Sequence, residues 1–192
     1  MKKLIKIIKT NDAVSPVIGV MLMIVVTVVI AAVVSAFASD MSGGQDTAPV
    51  ASIQCKIVKE DTNTILTFKH ISGDSINTAN LKIIVSYTDS GGAPVQKRST
   101  GVNVDDLTNS KGEIVSGKVP YLTDVKEGDV GTEKTNFGSF MWKTGQVLSS
   151  GSPKGFSGII GVSDVNIGDT FNIKLVDTSS QKAIVDQDVT VQ

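Results

Sequence analysis

Between Ala13 and Ser39 the chain carries no ionisable side chain, and this run constrains the fold more than any other feature. Its central part, Val17 to Ala38, holds 22 residues with nothing more polar than Thr27 and Ser35. At 1.5 Å per residue a helix of that length spans about 33 Å, enough to cross a hydrocarbon core of about 30 Å. The pattern is apolar all round rather than striped. Every face of such a helix must therefore be covered, by lipid or by other apolar helices. A soluble single-domain fold cannot absorb it on its surface.

The charge around the run sets its direction. Lys2, Lys3, Lys6 and Lys9 precede it, and the next ionisable group after Asp12 is Asp40. Positive charge on the N-terminal side alone predicts an inside N-terminus and an exported body. The twelve-residue leader is +3, so the whole-chain net charge of −1 leaves −4 for the rest. A mildly acidic body without a basic stripe argues against nucleic-acid binding. The one cysteine, Cys55, excludes an internal disulfide framework. It alternates with Ala51, Ile53 and Ile57, which predicts a small buried apolar residue on a strand.

Four fates are open to the apolar segment. Cleavage after Ala36-Phe37-Ala38 would make it a secretory signal, although the run exceeds the usual 7–15 residues of a signal core. An uncleaved membrane anchor is a second fate. A lipoprotein anchor is a third, and it fails because no cysteine lies near the helix. In the fourth, cleavage falls before the apolar stretch, and the helix stays with the mature protein.

Asp12 to Ser39, with Ser15-Pro16-Val17-Ile18-Gly19-Val20 at its start, resembles the N-terminus of archaeal type IV pilins. In that family a short basic leader precedes a Ser-Pro-Val-Ile-Gly-Val core and a hydrophobic helix. Phe68 to Leu81, with His70, Gly73, Asp74 and Leu81, resembles a strand–turn–strand element of the same pilins. Gly168 to Val191 resembles their closing hairpin. The middle of the chain is unmatched.

The resemblance implies a structural subunit. A prepilin peptidase would cut between Asp12 and Ala13, removing leader 1–12. Segment 13–39 would be the membrane span before assembly and the filament core afterwards. Further partners implied are other copies of the chain, the membrane, and an assembly ATPase with its platform. The filament would lie outside the cell and serve surface adhesion. Bacterial pilins carry a glutamate at the fifth mature residue; counting from Ala13 that position is Val17, so cohesion must come from helix packing. Ser15 can cap the helix, with Pro16 as its first residue. Gly19, Val26, Ala31, Ala32, Ser35 and Ala36 are the expected packing positions, the small ones because they permit close approach. An archaellin-like motility subunit, a membrane-anchored binding module and a secreted β-domain enzyme or lectin are the alternatives.

Beyond the run, residues 40–49 read as a polar, Gly-bearing hinge ending at Pro49, and 50–192 as the head. There the periodicity changes to alternation: Leu66, Phe68 and His70; Leu81, Ile83, Val85 and Tyr87; Phe171, Ile173 and Leu175; Val189 and Val191. Turn signals fall at Ser72-Gly73-Asp74, Asp89 to Gly92, Lys111-Gly112-Glu113, Lys126 to Asp129, and Ile167-Gly168-Asp169. No amphipathic helix of convincing length is expected after residue 48. Short strands with frequent turns predict an all-β head, a β-sandwich of immunoglobulin-like or Greek-key type. Thr132 to Gly161 is less regular, and its Phe137, Phe140, Met141 and Trp142 read as core at a sheet edge or as an exposed adhesive patch.

Chemistry-bearing patterns are absent from the sequence. There is no G-x-S-x-G elbow, P-loop or H-E-x-x-H, so no catalytic, cofactor or metal residues are assigned. His70 at a strand end reads as a packed residue. Asp105, Asp106 and Glu113 near Asn103 and Asn109 depart from an EF-hand in spacing and lack its glycine, which leaves a solvated loop as the expectation. The head is rich in Ser and Thr, which suits solvated strand faces or O-linked sugars. It holds no N-x-[ST] sequon.

Overall fold

Apolar composition makes the first element, and alternation makes nearly all the others. In the computed structural model, which describes residues 16–42, 47–61 and 63–192, helix α1 runs Pro16–Ser42. It continues three residues past Ser39 and includes Asp40. Asp12, Ala13 and Ser15, the expected cleavage pair and cap, lie outside the described residues. The chain divides into two compact units, one holding α1 and the other holding the strands.

The second unit opens with a long antiparallel hairpin, β1 (Ala51–Glu60) and β2 (Asn63–Gly73). Then come β3 (Ile76–Asn77), β4 (Leu81–Thr88), β5 (Pro94–Ser99), β6 (Val102–Thr108) and β7 (Ile114–Val119). The series ends with β8 (Tyr121–Leu122), β9 (Met141–Trp142), β10 (Val147–Ser149), helix α2 (Pro153–Ile160), β11 (Thr170–Asp177) and β12 (Lys182–Thr190). Two four-stranded antiparallel sheets result, ordered β1-β2-β10-β8 and β12-β11-β4-β5, with β3-β9 and β6-β7 as separate ribbons. The head is an all-β sandwich.

Each sheet turns one alternating row inward. Ile57, Leu66 and Phe68 from the first sheet and Ile83, Val85, Ile173 and Leu175 from the second are essentially solvent-free. Full burial of such a side chain contributes about 1.5–3 kcal/mol. The register sets Cys55 opposite Phe68 and Ile57 opposite Leu66. The chain end ties the sheets together. Val191 pairs in parallel with Ile57. The N–H of Gln192 donates to the Ile57 carbonyl at 3.0 Å, and the N–H of Lys59 donates back to Gln192 at 2.9 Å.

One short helix follows residue 48, below the length at which a helical period is legible. α2 is only eight residues long, yet it is fully specified. Ser152 caps it, its Oγ accepting from the Gly155 N–H at 3.0 Å and donating to Asp106 Oδ1 at 2.7 Å. Pro153 occupies the first turn, and Gly161 closes it with φ of 102°. Phe156, Ile159 and Ile160, at helical spacing, are solvent-free in the core. Gly155 is obligatory, since a Cβ there would sit 2.0 Å from the Ser150 carbonyl oxygen.

The irregular stretch before α2 is core rather than surface. Phe137 and Trp142 are buried and Phe140 half-buried, whereas Met141 is exposed. Buried Thr78 anchors this segment: its Oγ1 donates to the Phe140 carbonyl at 2.7 Å and accepts from the Gly138 and Phe140 N–H groups.

The β11–β12 turn is closed by Asp177, which is buried and accepts from Ser179 Oγ, Ser180 Oγ and the Ser180 N–H at 2.6–2.8 Å. Burial alone would raise this carboxyl, but those hydrogen bonds outweigh it and hold it below its usual range. Its stabilisation is therefore present above the unfolded-chain value of about 3.9 and is lost as pH falls through the lower folded value. We expect the head to lose stability below about pH 4, and Asp177→Asn to flatten that acid limb in thermal melts.

Candidate functional site: the apolar helix

Helix α1 presents apolar side chains in every direction. Leu22, Met23 and Phe37 are each about two-thirds exposed, and Val26 and Val33, the least exposed of its large apolar side chains, still show 47% and 49%. None of the span Pro16–Ser39 is buried within the chain. Two of its hydroxyl groups donate to the helix's own backbone: Thr27 Oγ1 to the Ile24 carbonyl at 2.8 Å, and Ser39 Oγ to the Ser35 carbonyl at 3.0 Å. Backbone groups inside the helix pair with one another, as an apolar surround requires. The first turn has no acid and the last no base.

The six expected packing positions do not share a face. At about 100° per residue, Ala31, Ala32, Ser35 and Ala36 fall within about 140° of arc and form one patch of small side chains. Gly19 and Val26, seven residues apart, lie about 20° from each other and nearly opposite the patch. A Cβ on Gly19 would meet nothing within 4 Å. This distribution suits a helix surrounded by several neighbours rather than one zipped to a single partner.

The histidine and the cysteine of the head are packed in its core. His70 is buried and stacks against Trp142 with centroids 5.3 Å apart. Among the described residues, neither ring nitrogen has a hydrogen-bond partner. Its surroundings are held by backbone bonds: the His70 N–H donates to the Gln146 carbonyl at 3.0 Å, as does Trp142 Nε1 at 3.2 Å. An imidazole in this setting has neither a nucleophile to activate nor a carboxylate to orient it. Replacing two unsatisfied buried nitrogens with carbon removes a desolvation penalty, so His70→Leu should raise Tm by about 2–4 °C. Circular dichroism melts check this, and a fall of several degrees would show that the ring holds a polar partner.

Cys55 is buried beside the Gln187 side chain, and burial pushes its thiol up to about 12. It is inert as a nucleophile at neutral pH. The acidic residues around β6 are engaged separately. Asp105 pairs with Lys154 at 3.0 Å, and that hydrogen bond and charge hold its carboxyl below the usual range. Asp106 holds Ser152, while Asn109 Oδ1 accepts from the Lys111 and Glu113 N–H groups in the β6–β7 turn. Among the described residues, no three His, Cys, Asp or Glu side chains gather as a metal cluster.

Two comparisons bear on the helix and on the chain as a whole. The family model "Archaeal Type IV pilin, N-terminal" matches residues 12–53, spanning the motif, the helix and the start of β1. An uncharacterized protein of Archaeoglobus fulgidus is 38% identical over 124 residues, which are 65% of this chain and 87% of that protein. By its N-terminal region, residues 12–53, the chain is an archaeal type IV pilin. As such it is a pilin- or archaellin-like filament subunit, from a structural rather than a catalytic family. Such pilins self-assemble, and the N-terminal apolar helix accords with a membrane-anchored precursor and an extracellular filament.

Proposed function

We propose that this pilin is made as a membrane-inserted precursor and cut between Asp12 and Ala13. It then polymerises through α1 into a surface filament that mediates adhesion. The carrying observation is the continuous exposed apolar surface of α1. Prepilin peptidase and an assembly ATPase with its platform are the partners this reading requires. Of the expected joint 40–49, residues 40–42 continue α1, so the joint between helix and head begins after Ser42.

The physics is conservation of apolar burial. In the bilayer lipid covers the helix, and in the filament other copies' helices do. Exposure to water would cost about 25 cal/mol for every Å² of apolar surface uncovered, which forbids a soluble intermediate. The transfer from lipid to bundle gains far less, because lipid tails are as apolar as the side chains. Packing of small residues and external work must therefore drive assembly.

Mass spectrometry of filaments sheared from cells tests the reading. This chain should appear as a filament constituent, and deleting its gene should remove those filaments and lower attachment to surfaces. Recovery of the chain only in membranes, with filaments and attachment unchanged, would refute it.

A further inference from the structure

The head carries a groove at one end of its second sheet. A cleft of about 440 Å³ lies where the β4–β5 turn faces the segment between α2 and β11. A second cleft of about 360 Å³ adjoins it along β4 and β5, with Tyr87 and Thr88 lining both. These volumes fall in the range of small-ligand sites, about 300–1,000 Å³.

The lining suits one kind of ligand. Tyr87 is half-buried and steadied by Phe171, with ring centroids 5.3 Å apart, so an aromatic ring is fixed where the two clefts meet. Three carboxylates, Asp89, Asp164 and Asp169, line the larger cleft. Two are positioned by backbone. Asp89 Oδ1 accepts from the Gly91 and Ala93 N–H groups at 2.9 and 2.8 Å, and Asp169 Oδ2 from the Asn166 N–H at 2.7 Å. Among the described residues, Asp89 Oδ2 and Asp169 Oδ1 have no donor, which leaves a fixed acceptor on each. Asp164 meets Lys59 Nζ at 3.5 Å with 92% of its side chain exposed.

Pre-positioned acceptors beside an aromatic ring match a sugar, which offers hydroxyl donors at its rim and a C–H face for stacking. Three carboxylates repel anionic ligands. A bare cation would need converging ligands, and no such cluster is present among the described residues. We propose that this groove binds a neutral oligosaccharide. The assignment rests on the adhesive reading for its role on the cell, but not for its chemistry.

The test uses the full chain in lipid nanodiscs, which avoids glycoside detergents. The probes are maltotriose, cellotriose and N,N′,N″-triacetylchitotriose, followed by saturation-transfer NMR. At least one should bind with a Kd of millimolar or tighter, and Asp164→Ala combined with Asp169→Asn should weaken it at least fivefold. Asp164→Ala alone, at a nearly fully exposed side chain, should weaken it in the same direction with the melt unchanged. No saturation transfer from any probe, or an unaltered Kd in both variants, would overturn the assignment. So would a pentalysine peptide that displaces the sugar at equal concentration, since charge alone would then explain the cleft. Attachment of cells to glass is scored separately. Sugar binding without filament-dependent attachment would refute adhesion and leave the groove assigned.

Discussion

Val26→Asp is expected to abolish filament assembly while leaving the head folded. Val26 sits near the middle of α1, and in the proposed filament its surroundings would be other apolar helices or lipid. An aspartate at the centre of a spanning helix costs about 2.5–3.5 kcal/mol on insertion scales. In a filament that cost recurs in every copy, with no counter-charge in α1 and with Asp40 as its one ionisable residue. Val26→Leu, which keeps the apolar surface, should assemble nearly as the native chain does. Filament yield by electron microscopy and near-UV circular dichroism of the head separate the two effects. Normal filaments from the aspartate variant would reduce α1 to a membrane anchor.

Removing the helix should have the second large effect. A chain from Pro49 to Gln192 is expected to be soluble, monomeric, rich in β-structure and unable to polymerise. The physical reason is that the head's core draws on its own strands and α2 alone, with α1 in a separate compact unit. Roughly 140 residues bury a sufficient fraction of their surface to fold independently. Circular dichroism should show strand with little helix, and sedimentation should give the monomer mass. A strongly helical spectrum would contradict the fold. Filaments formed by this shortened chain would move the assembly surface from α1 to the head.

These expectations draw on features that were unequally legible in the sequence. α1 was legible because composition alone specifies it: no partner is needed to explain 22 consecutive residues without charge. The inward rows of β2, β4 and β11 were legible because a strand buried on one face writes its period directly into the chain. α2 was missed for the opposite reason, since eight residues hold too few turns to establish a helical period. Its signal lay in the punctuation instead, with Ser152-Pro153 at one end and Gly161 at the other. The pairing of β10 with β2 and the crossing of Val191 to Ile57 join residues far apart in sequence, and no local pattern encodes them.

The groove lining shows the same limit. Asp89 and Asp169 were visible only as turn residues, and each does hold turn backbone through one carboxylate oxygen. Their convergence on Tyr87 depends on how β4 and β11 pair, with Ile173 set opposite Val85. For α1, by contrast, the helical period applied to the six small or central positions would have shown from sequence alone that they occupy more than one face.

The most direct test of the account is the N-terminus of the chain recovered from filaments, read by intact mass and N-terminal sequencing. Cleavage between Asp12 and Ala13 with retention of α1 predicts a mature protein that begins at Ala13-Val14-Ser15-Pro16. A protein that begins at Ser39 would have lost the helix, and that result would contradict assembly through it.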